Sequence, residues 1–90
     1  MIELVWDAGF KRAYRKRILR DPYLQKRFRM AVETFVKNPF DKKLRTHKLT
    51  GQLAGLWAFT VAYDCRVVFK FLDGQSSALL IDIGTHDEVY

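Results

Sequence analysis

Two histidines are the side chains in this sequence best suited to moving protons near neutral pH. The chain has no others, and His47 and His86 each lie beside a predicted strand in its C-terminal half. Two histidines facing one phosphodiester could cut RNA without a metal. One group would take the proton of the 2′-hydroxyl, and another would protonate the leaving 5′-oxygen. Their spacing matches no zinc motif, and two ligands make a poor zinc site. The alternative is that both are surface residues without a role.

Four further residues could serve such a site or have purely structural roles. Asp64 is a potential acid–base group, but it could equally be the acceptor in a tight turn. Arg66 could stabilise charge on a phosphate or cap the edge of the sheet, and Tyr90 could be a frayed terminus. Cys65, the only cysteine, lies in an apolar stretch without an arranged partner. We therefore expect a core residue there, and a chain without internal disulfides fits a reducing cytoplasm.

The sequence pattern changes from predominantly helical to strand-forming near residue 44, so different elements must position these residues. Before it, residues 2–6 suggest a short strand, and apolar residues recur at helical spacing over 8–20 and from 22 to about 37. Asp7 and Asp21 are expected N-caps, and Pro22 is expected at the first helical position. After it, the pattern predicts strands over 44–49, 56–63, 65–72 and 77–83. The tail from residue 84 has no assigned element.

This order predicts a single domain over residues 1–90 of the α+β class. An N-terminal strand and a two-helix hairpin would pack on a mainly antiparallel sheet of about four to five strands. A two-residue turn at Asp64 and Cys65 would place Tyr63 opposite Arg66. Aromatic and cationic side chains would then share the sheet face that the helices leave uncovered, as stacking on bases and binding phosphates require: Trp57, Tyr63, Arg66 and Lys70.

The positive charge is concentrated in one part of the chain. Of the 16 lysines and arginines, 14 fall between Lys11 and Lys48, with only three acids, whereas the remainder carries two basic residues and seven acids. Such asymmetry predicts contact with a polyanion, although a solvated basic helix face is the alternative. No apolar stretch is long enough to span a bilayer, and the N-terminal residues lack the features of a signal peptide. We therefore expect a cytoplasmic protein without a membrane partner.

Three stretches of this sequence resemble toxins of the RelE/ParE superfamily: Leu53–Phe59, Tyr63–Phe69 and Ile83–Tyr90. The order of strands and helices agrees along essentially the whole chain. His86, where many relatives carry arginine, is similar to the YafQ branch. The resemblance implies a RelE-like fold and the toxin of a type II toxin–antitoxin system, which cuts mRNA in the ribosomal A site without metal or cofactor. Its partners would be a cognate antitoxin, the ribosome and mRNA.

The resemblance also implies roles for individual residues. His47 and Asp64 would orient or deprotonate the 2′-hydroxyl, and Arg66 would stabilise the phosphate. His86 would be the general acid, and Tyr90 would stack on a base or hold the tail. The expected contacts to RNA and ribosome are basic residues on the first helix and near the strands: Lys11, Arg12, Arg15, Lys16, Arg45, Lys48 and Lys70.

Two positions depart from the YafQ pattern. Thr60 stands where the branch can carry a further histidine, and Asp82 stands where it can carry an arginine. An acid near the site would weaken substrate binding unless it points into the protein or pairs with Arg66. These departures leave two rivals open, a ParE-like topoisomerase inhibitor that cuts nothing and a non-catalytic module that binds RNA or the ribosome.

Overall fold

Five strands and three α-helices make up the chain, which a computed structural model describes over residues 1–90. The helices are α1 (Ala8–Arg17), α2 (Pro22–Lys37) and α3 (His86–Val89). The strands are β1 (Glu3–Trp6), β2 (His47–Lys48), β3 (Trp57–Ala62), β4 (Cys65–Leu72) and β5 (Ser77–Gly84). None of the three helices has the length and apolar character needed to cross a bilayer.

Side-chain caps begin both long helices. The Asp7 carboxylate accepts a hydrogen bond from the backbone N–H of Gly9 at 2.9 Å, and that of Asp21 accepts from Leu24 at 3.1 Å. Pro22 occupies the first turn of α2, where its missing N–H costs nothing. These caps satisfy donors that the helix itself leaves unpaired. The predicted helical hairpin is confirmed.

The sheet has the strand order β1-β5-β4-β3-β2. β1 runs parallel to β5, and all other neighbours are antiparallel. The predicted class, a helical hairpin on a mainly antiparallel sheet, is therefore confirmed.

The predicted strand over 44–49 was too long, because Asp41 caps a single 3-10 turn at Lys42–Leu44 and Arg45 takes a left-handed conformation at φ 50°. Only His47 and Lys48 pair with β3.

The predicted pairing of β3 with β4 was wrong. Arg66 pairs with Thr60, not Tyr63, and the turn comprises Tyr63 and Asp64, because Ala62 pairs with Cys65. A β-bulge between Thr60 and Ala62 shifts the register, so Val61 and Ala62 both pack in the core. A bulge breaks the strict alternation on which the prediction depended.

As a result, the aromatic residues of β3 face the helices. Phe59 is buried and Trp57 is partly buried against the same core, so Trp57 does not share a face with Arg66 and Lys70. Paired and alternating positions then define the uncovered side, which we call the open face. Its members from β2, β3 and β4 are His47, Ala58, Thr60, Arg66, Val68 and Lys70.

The core between helices and sheet is largely aromatic. Phe35 stacks on Phe59 at a centroid distance of 4.7 Å and meets Phe69 edge-on at 4.9 Å. Trp6 and Phe10 form a second T-shaped pair, with centroids 4.8 Å apart. Cys65 is buried in this core as predicted. Buried aromatic rings contribute more stabilisation than other side chains of a small domain, and here they fix the sheet on which the candidate site lies.

Candidate active site

The C-terminal segment folds back over the open face as helix α3. Thr85 and Glu88 form a capping box, in which each side chain accepts a hydrogen bond from the other residue's backbone N–H. Val89 is buried, as are Ala58 and Val68, although none of the three belongs to the core beneath α1 and α2. Helix α3 contacts β4 and β5, and we infer that Val89 packs against Val68 on β4. The tail was not assigned an element from sequence, although Thr-x-x-Glu is a recognisable helix start.

Asp64 joins the β3–β4 turn to this helix. Its Oδ1 atom accepts a hydrogen bond from the backbone N–H of His86 at 3.2 Å, across 22 residues of sequence. Both residues are exposed. The bond fixes the first residue of α3 relative to the sheet. Asp64 therefore has a positioning role that the sequence interpretation did not separate from acid–base chemistry.

His86, Tyr90 and Arg66 lie close together beside this contact. The His86 and Tyr90 rings meet edge to face, with centroids 4.8 Å apart. Partial burial raises the pKa of the Tyr90 phenol, and the positive charge of Arg66 opposes that rise. The Arg66 side chain contacts the β3–β4 turn, because its Nη1 donates to the carbonyl oxygen of Tyr63 at 3.3 Å. The structure brings four predicted site residues together: Asp64, Arg66, His86 and Tyr90.

His47 lies on the same face but further along it. It pairs with Ala58 on β3, so one strand lies between His47 and Arg66, and the axes of β2 and β4 are about 10 Å apart. Tyr90 extends towards it, because Tyr90 lines a shallow cavity of about 360 Å³ with the loop that follows β2. The open face therefore carries a row of candidate groups from β2 to α3.

One hydrogen bond determines which nitrogen of His47 carries the proton. Nδ1 lies 2.9 Å from the carbonyl oxygen of Arg45. A carbonyl oxygen can only accept, so Nδ1 must be the donor. In the neutral ring, Nε2 then holds the free lone pair. A histidine with this tautomer can accept a proton through Nε2.

Arg17 is a structural residue of the site that sequence reasoning missed. Its Nη1 contacts Asp82 Oδ1 at 3.1 Å and donates to the carbonyl oxygen of Ile83 at 2.9 Å, while its Nε lies 3.4 Å from Glu88 Oε2. One side chain thus links α1 to both β5 and α3. Its sequence position could have indicated this, because Arg17 follows Phe10 and Ala13 on the buried side of α1.

The two residues that depart from the YafQ pattern lie in different surroundings. Asp82 pairs with Arg17, not with Arg66, so its charge is neutralised from the helix layer. Thr60 lies directly across from Arg66 on the open face. The contacts of Arg17 and Glu88 also leave no room for a side chain at position 84. A Cβ there would lie 2.7 Å from Glu88 Oε1 and 2.9 Å from Arg17 Nη1, which explains why the residue is glycine.

The predicted basic contacts divide into two groups. Arg45 and Lys48 flank His47, and Lys70 shares the open face with Arg66. The α1 cations lie instead on the helix layer, where Arg12 and Lys16 border a shallow depression with Asp7 and Asp82. All seven side chains are exposed: Lys11, Arg12, Arg15, Lys16, Arg45, Lys48 and Lys70. The chain contains no group of three or more His, Cys, Asp or Glu residues that could hold a metal ion.

No protein-family model matches this sequence, and no curated protein matches it either. Solved structures do match. A copper-bound mutant toxin from Helicobacter pylori superposes with a TM-score of 0.81 at 21% identity over 100% of both chains. YafQ from Escherichia coli gives 0.75 at 15% identity over 100% of this chain and 99% of its own. A heterotetrameric YoeB–YefM toxin–antitoxin complex from Staphylococcus aureus contains a chain that gives 0.74 at 14% identity, over 96% of this chain and 98% of its own.

The fold of this chain is therefore that of the RelE/ParE toxin superfamily. Within that superfamily, its structural neighbours include YoeB, YafQ and RelE-type toxins of type II toxin–antitoxin systems.

Proposed function

We propose that this chain is the toxin of a type II toxin–antitoxin pair, of the YafQ-like branch, and that it cuts mRNA on the ribosome in the cytoplasm. The observation that carries the proposal is the group of Asp64, Arg66, His86 and Tyr90 on the open face, with a proton-accepting His47 in the same row. A base, an acid and a cation are what metal-independent RNA cleavage requires.

The reaction is an attack by the 2′-hydroxyl oxygen on the adjacent phosphorus. Nε2 of His47 takes the hydroxyl proton as the new O–P bond forms. The bond to the 5′-oxygen breaks, and protonated His86 donates a proton to that oxygen. The Arg66 guanidinium balances the extra negative charge on the phosphorane. The products are a 2′,3′-cyclic phosphate and a 5′-hydroxyl, and the two histidines exchange protonation states.

Asp64 and Tyr90 position these groups in the proposed mechanism. Asp64 holds the backbone of His86, so its removal would displace the acid from the phosphate. Tyr90 packs edge-on against the His86 ring. Because burial raises its pKa above 10.0, its phenol is neutral at physiological pH and can stack on a base or donate a hydrogen bond.

The exposed cations supply the proposed contacts to larger partners. Lys11, Arg12, Arg15 and Lys16 on α1 would bind phosphates of ribosomal RNA, while Arg45, Lys48 and Lys70 lie nearer the site and would hold the mRNA backbone. An antitoxin that masks this surface must complement its positive charge, so we expect an acidic partner chain.

The decisive experiment compares two targets. The purified protein is incubated with ribosomes programmed with a defined mRNA and, separately, with a bacterial type II topoisomerase and supercoiling substrate. We expect mRNA cleavage within the A-site codon and normal supercoiling. Inhibited supercoiling with intact mRNA would instead establish a ParE-like inhibitor. Tight ribosome binding without cleavage would establish a non-catalytic binding module.

A further inference from the structure

Tyr63 is an exposed aromatic residue that the mechanism above does not use. Its side chain is 97% exposed, so its ring packs against no other part of the chain. It lies at the tip of the β3–β4 turn, between Ala62, which pairs with Cys65, and Asp64, which holds α3. Turns of this kind favour small or polar residues. Tyr63 therefore contributes nothing evident to folding at this position.

The β-bulge in β3 decides where this ring points. Trp57, Phe59 and Val61 alternate onto the core side, and uninterrupted alternation would bring Tyr63 to that side as well. The bulge places Ala62 in the core together with Val61, so the next residue leaves it. Bulges commonly redirect a side chain beside a functional site. Here the bulge turns the only tyrosine of the turn out of the core and into solvent.

The turn is also held firmly beside the candidate phosphate site. Arg66 Nη1 donates to the carbonyl oxygen of Tyr63 at 3.3 Å, and Asp64 is bonded to the backbone of His86. The Tyr63 backbone and the Arg66 guanidinium are thus in direct contact, so the exposed ring of Tyr63 lies beside the cation. An exposed aromatic ring beside a cation suits an unpaired base next to a bound phosphate.

We propose that Tyr63 stacks on an unpaired RNA base next to the phosphate that Arg66 binds, and so positions the substrate for cleavage. This inference rests on the proposed function. Stacking needs only a π face, so the contact is tolerant of base identity. Tyr63 is a positioning residue in this role, because it holds a neighbouring nucleotide and does not take part in proton transfer.

The test is single-turnover cleavage on programmed ribosomes at increasing toxin concentration. Tyr63→Leu keeps apolar bulk but loses the ring, and we expect its half-saturating concentration to rise about 5- to 150-fold, the range for one stacked base. The maximal rate should fall by a smaller factor. Tyr63→Phe should recover most of the loss. Tyr23→Leu, at a second exposed tyrosine on α2, is the control and should match the parent.

Several outcomes separate this inference from the proposed function. If the parent cuts no mRNA on ribosomes, the proposed function fails and this inference fails with it. If the parent cuts and Tyr63→Leu saturates at the same concentration, only the stacking role is overturned. Binding to ribosomes without mRNA identifies the base. An unchanged affinity of Tyr63→Leu assigns the base to mRNA, as proposed, whereas an equal loss would assign the contact to ribosomal RNA and overturn the substrate-positioning role. Because the Tyr63 ring is exposed, the parent and the three tyrosine variants should have similar melting temperatures. A large drop for Tyr63→Leu would overturn the premise that the ring packs against nothing.

Discussion

Arg17 and Asp82 form an ion pair with an N–O distance of 3.1 Å, which joins the end of α1 to β5. The same guanidinium also reaches Glu88 on α3. A single cation therefore neutralises two acids and secures the short helix that carries His86.

Removing Arg17 should loosen α3 before it unfolds the domain. Arg17→Met keeps the apolar stem but leaves Asp82 and Glu88 without their partner, and should cost about 1–2 kcal/mol because these groups are only partly buried. Hydrogen exchange at the backbone amides of Glu88, Val89 and Tyr90 should accelerate more than in the core strands. Arg20→Met, at an exposed position beyond α1, is the control. Equal protection of α3 in both variants would contradict the linking role.

His86→Gln should slow the chemical step by roughly 10²–10⁴-fold, the usual range for one general acid. Glutamine keeps a hydrogen-bonding group but cannot donate a proton in the neutral range. Ribosome binding should change little, because one side chain among many contacts is altered. The measurement is single-turnover mRNA cleavage on programmed ribosomes between pH 5.5 and 8.5. Cleavage at the parental rate with the same pH profile would show that His86 is not the acid.

Asp64→Asn and Asp64→Ala should differ sharply. Asparagine retains an oxygen that can accept the His86 backbone N–H, whereas alanine leaves that donor unpaired. If Asp64 acts by positioning, Asn should stay within about tenfold of the parental cleavage rate and Ala should fall much further. The same single-turnover assay measures both. An Asn variant as inactive as the Ala variant would instead give Asp64 a direct role in proton transfer.

Ribosome binding should weaken steeply as salt increases, because each phosphate contact releases condensed counterions. We expect a slope of log K against log salt of several units, with about 0.7–0.9 per contact. Reversing the charge of Arg12, Arg15 and Lys16 should flatten the slope by about two units by the same counting. Binding titrations of the parent and the charge-reversed variant, from low to physiological salt, measure both slopes. A slope near zero for the parent would remove the polyanion surface from the proposal.

Stability should fall as pH rises above 9 through the ionisation of Cys65. Burial, followed by the charge of Glu88, raises the pKa of its thiol from 9.0 to about 11. The folded state thus binds this proton more tightly than the unfolded chain does. The resulting stabilisation is complete below pH 9 and is lost as pH rises towards 11. Cys65→Ala should be less stable throughout because of the cavity, but its urea-unfolding free energy should decline less over this range. An equal decline of the unfolding free energy with pH in the parent and in Cys65→Ala would contradict the raised pKa of the thiol.

Much of this architecture could be predicted from local patterns. Asp7, Asp21 and Pro22 mark helix starts by short-range chemistry, and the apolar stripes of α1 and α2 indicate their buried sides. The register of β3 could not be predicted, because the bulge at Val61 depends on how two strands fit together and not on either strand alone. The Arg17 contacts join residues 65 positions apart. The left-handed conformation of Arg45, which shortens β2, has no glycine or asparagine to indicate it.

Parallel pairing of β1 with β5 has a consequence for the order of events during synthesis. Glu3 pairs with Ser77, 74 residues later in the chain, while the helical hairpin and the β3–β4 pair are local and can form earlier. Closing so long a loop is entropically costly. The sheet is therefore completed only when β5 has been synthesised and can pair with β1. Arg17 meets its partners on β5 and α3, and His86 meets Asp64, at this same late stage. A nascent chain that ends before residue 77 therefore lacks β5 and α3, and with them the assembled candidate site.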